Sequence, residues 1–338
     1  MKRGVTLKDI ATKLNMSIST VSKSLSNHKS ISVLTKERVK KLANEWVYIP
    51  NESARHFKLS KTFTIGLILP DLLDQFFVAA INGVEEIAEQ ENYNIILTQS
   101  HEDVAKEAKV AHVMLKNRVD GLIVAITKNT IDMSLFDSFK SVGIPVMCIV
   151  REPQTQSLNC VSINNKDGAF KATNFLIKKG HKRIAHIMGP ETLQISRLRY
   201  EGYIEALKKN KIKVDEALVK SVDFSKSATE KAMLELINLP DPPTAIFTFK
   251  NYITLDAIRF LKKSHPEKLN TIDFTDFGNL SMFEYLEHKP IASIQEDFYE
   301  VGKKAAQMLF QMMQKENELA LNMPVHVQIP CKLIIHKQ

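Results

Sequence analysis

Little in this chain invites chemistry. It has three cysteines in 338 residues, Cys148, Cys160 and Cys331, each isolated among apolar neighbours, so neither a disulfide framework nor a metal-ligand spacing is present. Buried, reduced thiols in a cytoplasmic protein are expected. Glycine is scarce, with 11 residues, and no G-x-G-x-x-G, no G-K-[ST] loop and no H-E-x-x-H occurs, which argues against nucleotide-cradling and zinc-hydrolase machinery. The 10 histidines are scattered; His181 and His186 in HKRIAH read as surface and edge polarity around a short strand. The apolar runs FTIGLILP, GLIVAI and PVMCIV are far shorter than the roughly 18 to 20 residues of a spanning helix, so no membrane segment is expected. The chain opens Met-Lys-Arg and passes straight into capped helices, so no secretory leader is expected. No cofactor, no metal and no catalytic residue is expected.

What the sequence does have is a charge asymmetry. Residues 1–61 hold 13 Lys or Arg against 4 Asp or Glu, while the remainder holds 33 against 34, so the whole excess behind the net +8 lies at the N-terminus. Phosphate neutralisation requires such a concentration.

That basic segment is patterned. In TLKDIATKLNMSISTVSKSLS, Thr6 is an N-cap, and Leu7, Ile10, Ala11 and Leu14 fall on one face of a first helix. Asn15 and Met16 interrupt it, Ser17 caps a second helix, and Val21 and Leu25 are available to pack against the first. Ser19, Thr20, Ser22 and Lys23 remain as a polar face fit for the major groove. A third helix is expected over 35–46, capped by Thr35, with Val39, Leu42, Ala43 and Trp46 inward; a further short helix follows Asn51.

From Phe63 on, strand-like runs alternate with helical ones: FTIGLIL, NIILTQ, GLIVAI and PVMCIV with helices near 76–90, 104–117 and 133–142. The alternation resumes with helices over 166–179, 197–209, 228–239 and 252–263 around the strands RIAHIM and TAIFTF. The fold expected is an N-terminal all-α helix-turn-helix domain plus an α/β body of two parallel-sheet lobes. Ligands of such sheets bind beyond the strands' carboxyl ends, hence in the cleft between the lobes. The helix 298–314 offers Val301, Ala305, Met308, Leu309 and Met312 either to a dimer surface or to the core.

VTLKDIATKLNMSISTVSKSLSN, TKERVKKLANEWVYIPNESARHF and KTFTIGLILPDL, followed by RVDGLIV, GIPV, NNKDGAFKATNFLIKKGHKRIAHIMGP, RLRYEGY and PPTAIF, resemble in order the LacI/GalR family of bacterial transcriptional regulators. The resemblance covers essentially the whole chain. It implies a DNA-binding domain at 1–50, a hinge helix and linker at 51–61, and a periplasmic-binding-protein-like body, with 62–161 and 293–322 in one lobe and 162–292 and 323–338 in the other. It also implies base contacts from Ile18, Ser19 and Lys23, and phosphate or anchoring contacts from Leu7, Ser17, Thr20, Ser22, Ser32, Thr35 and Tyr48. Ile18 can meet only a thymine methyl, so direct hydrogen bonding falls to Ser19 and Lys23. In the hinge, Asn51 and Ala54 precede Phe57, which stands where the family usually has the Leu that wedges into the central minor groove. Val47 replaces the family's Gly or Asn at the end of the third helix, so a different turn is expected there.

For the cleft, the resemblance implies an effector site including Phe76, Phe77, Arg151, Arg199, Phe224, Asn251, Asp276 and Glu296. Core packing accounts equally well for one of the paired phenylalanines. The family's VxxDN appears as VSINN, its GFDD as DFTD, and its Gln-Pro as Glu296-Asp297. The implied function is a homodimeric regulator, most simply a repressor, that binds a near-palindromic duplex operator under control of a small effector, with carbohydrate the family norm. The alternative is a cytoplasmic sugar-binding or sugar-modifying protein with a fused basic domain. That alternative needs a nucleophile or general base that the cleft residues do not include.

Overall fold

The computed structural model describes residues 5–48, 61–72, 75–153, 157–314 and 324–337, and the chain divides into two compact units, Met1–Thr62 and Phe63–Gln338. The first unit holds helices α1 (Leu7–Leu14), α2 (Ile18–Leu25) and α3 (Val33–Glu45). Thr6 and Asp9 close a reciprocal capping box on α1, and Asn15 ends it in the left-handed conformation. Ile10, Val21 and Val39 are fully buried, one from each helix, with Leu7, Leu14, Leu25 and Trp46 packed around them. The expected cap of α3 is corrected: Ser32, not Thr35, is the N-cap, its hydroxyl accepting from the Thr35 amide. Val33 and Leu34 therefore lie in the first turn, although Leu34 is 74% exposed. Capping chemistry, not apolar periodicity, sets this helix start.

The turn after α3 does not depart from the left-handed conformation. Val47 adopts φ +50° and the Tyr48 amide donates to the Ala43 carbonyl. A β-branched residue is strained there, and with 76% of its surface exposed Val47 gains little packing in return.

The second unit begins with β1 (Thr64–Leu69), α4 (Gln75–Gln90), β2 (Asn94–Gln99), α5 (Val104–Lys116), β3 (Gly121–Val124), α6 (Asp137–Ser141), β4 (Val146–Ile149) and β5 (Asn159–Ile163). The helix expected over 133–142 is broken, a 3-10 turn at Ser134–Phe136 preceding α6. There follow α7 (Asn165–Lys178), β6 (Ile184–Met188), α8 (Gln194–Lys209), β7 (Val219–Ser221), α9 (Lys226–Ile237), β8 (Ala245–Thr248), α10 (Asn251–Ser264), β9 (Asp273–Phe277) and β10 (Ala292–Gln295). The chain ends with α11 (Phe298–Gln314), β11 (His326–Ile329) and β12 (Lys332–Ile335).

Two six-stranded sheets result, ordered β11-β5-β4-β3-β1-β2 and β12-β10-β9-β8-β6-β7. All described pairings are parallel except β10 with β12. The nearly continuous apolar strands fit sheets covered on both faces. The chain crosses between lobes at 164, at 296–297 and at 330–331, which differs from the boundaries expected at 162, 293 and 323: β5 runs to Ile163 in the first sheet, β10 pairs in the second and β11 in the first. Strand pairing decides membership here, and neither short strand carries a sequence mark of its partner.

Helix α11 is core. Val301, Ala305 and Leu309 have no exposed surface, and they join Leu67 and Val84 in the cluster beneath the first sheet. Its backbone approaches α4 so closely that a Cβ on Gly302 would lie 2.0 Å from the Ala80 carbonyl oxygen, and one on Gly83 2.1 Å from that of Tyr299. Of the row considered for a dimer surface, Val301, Ala305 and Leu309 are spent on the core, while Met308 and Met312 are half-buried at its margin. The three cysteines are free and buried. His186, expected at an edge, is fully buried instead: mid-strand in β6, it stacks between Tyr203 and Phe247 and bonds the Phe247 carbonyl through Nδ1. Burial holds its pKa down, at about 4.

Candidate functional site

Two surfaces carry the residues singled out from the sequence. On the first unit, burying Val21 and Ser24 of α2 leaves the opposite face outward, so Ile18 is 49% exposed and Ser19, Ser22 and Lys23 are exposed beside it. Ser17 accepts from the Thr20 amide, and its hydroxyl lies 2.9 Å from that of Ser19 and 2.8 Å from that of Thr20. Hydroxyls gathered at the amino end of a helix suit a phosphate oxygen. Leu7 and Tyr48 are half-buried against the unit's core, so any contact they make with a backbone comes from their edges. Ser32 is exposed and Thr35 half-buried at the start of α3. Two cations are already engaged: Lys36 and Lys40 bond the backbone and side-chain oxygens of Asn27, holding the α2–α3 turn. Asn51, Ala54 and Phe57 lie outside the described residues.

In the second unit the carboxyl ends of both sheets open onto a cavity of about 260 Å³. Phe76, Phe77, Arg151, Arg199, Phe224, Asn251 and Glu296 line it; Asp276 does not. Strand alternation turns Asp276 away from the cleft to the opposite face of β9 from Phe277, where it is wholly buried and accepts from the Ser293 hydroxyl of β10. Burial raises its pKa to about 8. The paired phenylalanines divide: Phe77 is 3% exposed in the lobe core, and Phe76 packs tilted against Phe298, ring centres 5.0 Å apart, beside the opening.

Arg199, from α8, is held on every side. Its Nε donates to Asn165 at 2.9 Å, one terminal nitrogen to the Phe249 carbonyl, and the other to Glu296 at 2.8 Å. Its guanidinium carbon lies 3.5 Å from the centre of the Phe277 ring and 4.6 Å from that of Phe249. Burial lowers its pKa, opposed by the charge of Glu296. Asn165 and Glu296 flank two of the three interlobe crossings, so this one side chain joins them.

The facing lobe repeats the arrangement. Arg151 meets Glu102 through two bonds of 2.6 and 2.9 Å and also donates to the Ile126 carbonyl. Glu102 is strongly desolvated, but the bonds and charge of Arg151 outweigh this and lower its pKa. Both groups are aimed by strained backbone: His101 and Glu102 follow β2 at φ +51° and +58°, and Val150 follows β4 at +69°. Beneath them Glu107 of α5 is fully buried, accepting from the Thr127 amide and the Thr130 hydroxyl, and so fixes the 127–130 loop at the cleft wall. Burial raises its pKa.

Sequence reasoning missed Glu102, Asn165, Phe249, Phe277 and Phe298. Phe249 directly follows β8 and Glu102 lies three residues past β2, at carboxyl ends of strands where a ligand is expected. The Arg199 partners come from three separate segments that no local pattern links.

A family model described as bacterial regulatory proteins, lacI family, matches residues 6–51, and one described as periplasmic binding proteins and sugar binding domain of LacI family matches residues 62–337. The HTH-type transcriptional repressor CytR of Escherichia coli (strain K12) is 31% identical over 314 residues, covering 92% of this chain and 91% of that protein. The HTH-type transcriptional repressor PurR of Aliivibrio salmonicida is 24% identical, over 98% of this chain and 99% of its own. Among solved structures, the lac repressor dimer bound to operator and the anti-inducer ONPF superposes with a TM-score of 0.81 at 22% identity, covering 98% of each chain. The complex of the transcriptional regulator CelR with cellobiose gives 0.70 at 24% identity, again over 98% of each.

Proposed function

We propose, since this chain belongs to the lacI family of bacterial regulatory proteins, that the cleft of its second unit binds a small effector and that the effector sets the hold of its first unit on an operator. The chain is a DNA-binding transcriptional repressor of the LacI type. Its relatives are regulators, and a carbohydrate effector is the reading most in keeping with them: one match is to a sugar binding domain and one fold neighbour holds cellobiose. The observation that carries the effector reading is the gathering of seven residues, named from the sequence alone, around one aromatic-lined cavity. Rings such as Phe76 and Phe224 offer flat apolar faces to a sugar, and the crossings bordering the cavity are where closure would be felt.

On DNA, two copies read the half-sites of a near-palindrome, as befits the dimeric state of the operator-bound lac repressor. Ile18, Ser19 and Lys23 face base edges, while Ser17, Thr20 and Ser22 face phosphates. Effector binding that favours one lobe arrangement shifts operator affinity by the difference in its affinity for the two arrangements. The test is selection of bound fragments from the source genome, followed by mobility shifts with and without mono- and disaccharides. Recovery of a near-palindromic site whose retention changes with one sugar is expected. Binding with no preference over random DNA would refute operator recognition, and retention indifferent to every sugar that raises the melting temperature would refute effector control.

A further inference from the structure

We propose that Glu296 and Glu102 set the ligand class of the cleft: by neutralising Arg199 and Arg151 from within the protein, they make it a site for an uncharged, hydroxyl-bearing ligand and close it to carboxylates and phosphates. This rests on the reading of the cleft as the effector site and names the class of molecule that it takes. Guanidinium groups facing a cleft ordinarily suit an anionic ligand, because their forked donors match two oxygens at once. Here each fork already has its carboxylate. Arg199 and Glu296 meet at 2.8 Å with side chains only 6% and 9% exposed, and Arg151 takes both oxygens of Glu102 at 2.6 and 2.9 Å. Among the described lining residues, four acidic ones balance four basic ones: Asp71, Glu102, Glu152 and Glu296 against Lys128, Arg151, Arg199 and Lys250.

Arg199 has no freedom to turn toward another anion. Asn165, the Phe249 carbonyl and Glu296 take three of its five donors, and the Phe277 and Phe249 rings fix its plane. An incoming phosphate would share that guanidinium with a resident carboxylate in a site where water screens little of their repulsion. A hydroxyl meets no such conflict, since it can donate to Glu296 and accept from an N–H that Arg199 still offers. Removing the resident negative charge should therefore turn the same fork into an anion site.

The experiment uses the full chain, with inorganic phosphate as the probe against chloride of matched ionic strength. For wild type, no saturable rise in melting temperature in phosphate over chloride is expected for the effector-binding unit, apart from the shallow non-saturating gain of a kosmotropic salt. Glu296→Gln is expected to gain saturable stabilisation by phosphate, roughly 3 °C at about ten times its Kd, and a double Arg199→Gln, Glu296→Gln variant to lose that gain. Glu102→Gln, on the other lobe, makes the same test should Glu296→Gln fail to fold. Wild-type stabilisation equal to that of the variants, or no gain in the folded variants, would overturn the proposal. Phosphate probes the guanidinium groups and is not offered as an effector, so a sugar screen that finds nothing counts against the effector reading while leaving this result to stand separately.

Discussion

The two units keep their polar side chains in opposite conditions. On the reading helix α2, Ser19, Ser22 and Lys23 stand in solvent around a half-exposed Ile18. In the cleft, Arg199, Glu296, Arg151 and Glu102 are paired with one another and partly or wholly removed from water. A surface that meets a long polyanion can leave its donors waiting, because water solvates them until phosphates arrive. A buried cavity has no such reserve, and its charges must be satisfied within the protein. An arginine in the right family position is therefore not yet a ligand contact, since its partners decide what it has left to offer.

The comparison is sharpened most severely by Arg199→Ala. That change strands a buried carboxylate and frees an amide oxygen and a carbonyl, and should cost the second unit about 3 to 5 kcal/mol in denaturant unfolding. A loss below about 1 kcal/mol would show that the pair is not the internally satisfied unit described here. Next comes the pH dependence of Asp276. Its carboxyl titrates near 8 when folded, against about 3.9 unfolded, so between those values the folded state keeps a proton that the unfolded state has released. Stability should therefore fall as pH rises, on the order of 1 kcal/mol per unit, from about 6.5, where the opposing titration of the buried His186 is complete, to about 8, and level off above. Asp276→Asn should flatten that slope in melts across the window; an unchanged slope would assign it to other groups.

For the exposed unit, Lys23→Ala should relax preference at one base position by about 1 to 3 kcal/mol, read in mobility shifts against a set of single-base operator variants. Ser22→Ala should instead weaken all sequences alike; a selective loss there would reverse the two assignments. The smallest effect belongs to Val47→Gly, which relieves a left-handed β-branched residue and should raise the stability of the first unit by about 1 kcal/mol. Destabilisation would mean that the exposed Val47 side chain has a partner that outweighs the strain.

The reading unit was legible because its determinants are local. Thr6 and Ser17 cap within three residues, and the apolar spacing of Ile10, Ala11 and Val21 folds three short helices onto one core. Even there Ser32 prevailed over Thr35, since two hydroxyls three residues apart are both credible caps until the backbone selects one. In the cleft the family resemblance named Arg151 and Phe224, which line it, but it misplaced Asp276: in a strand, adjacent residues face opposite sides, and the sequence does not say which side meets the cleft. The lobe boundaries failed for a related reason, because β10 and β11 are each four residues long and could pair in either sheet by composition alone.

The alternation of helix and strand, the basic reading unit and the list of groups available to the cleft are written locally into the chain. Those follow from periodicity, capping and charge, which act over a few residues. Only the tertiary structure decided which side chains are spent and which remain. Arg199 draws its acceptors from residues 34, 50 and 97 positions away, and Arg151 finds Glu102 49 positions back. Such partnerships form when packed lobes exclude water and every buried charge must be answered, a condition that no local stretch of sequence can express.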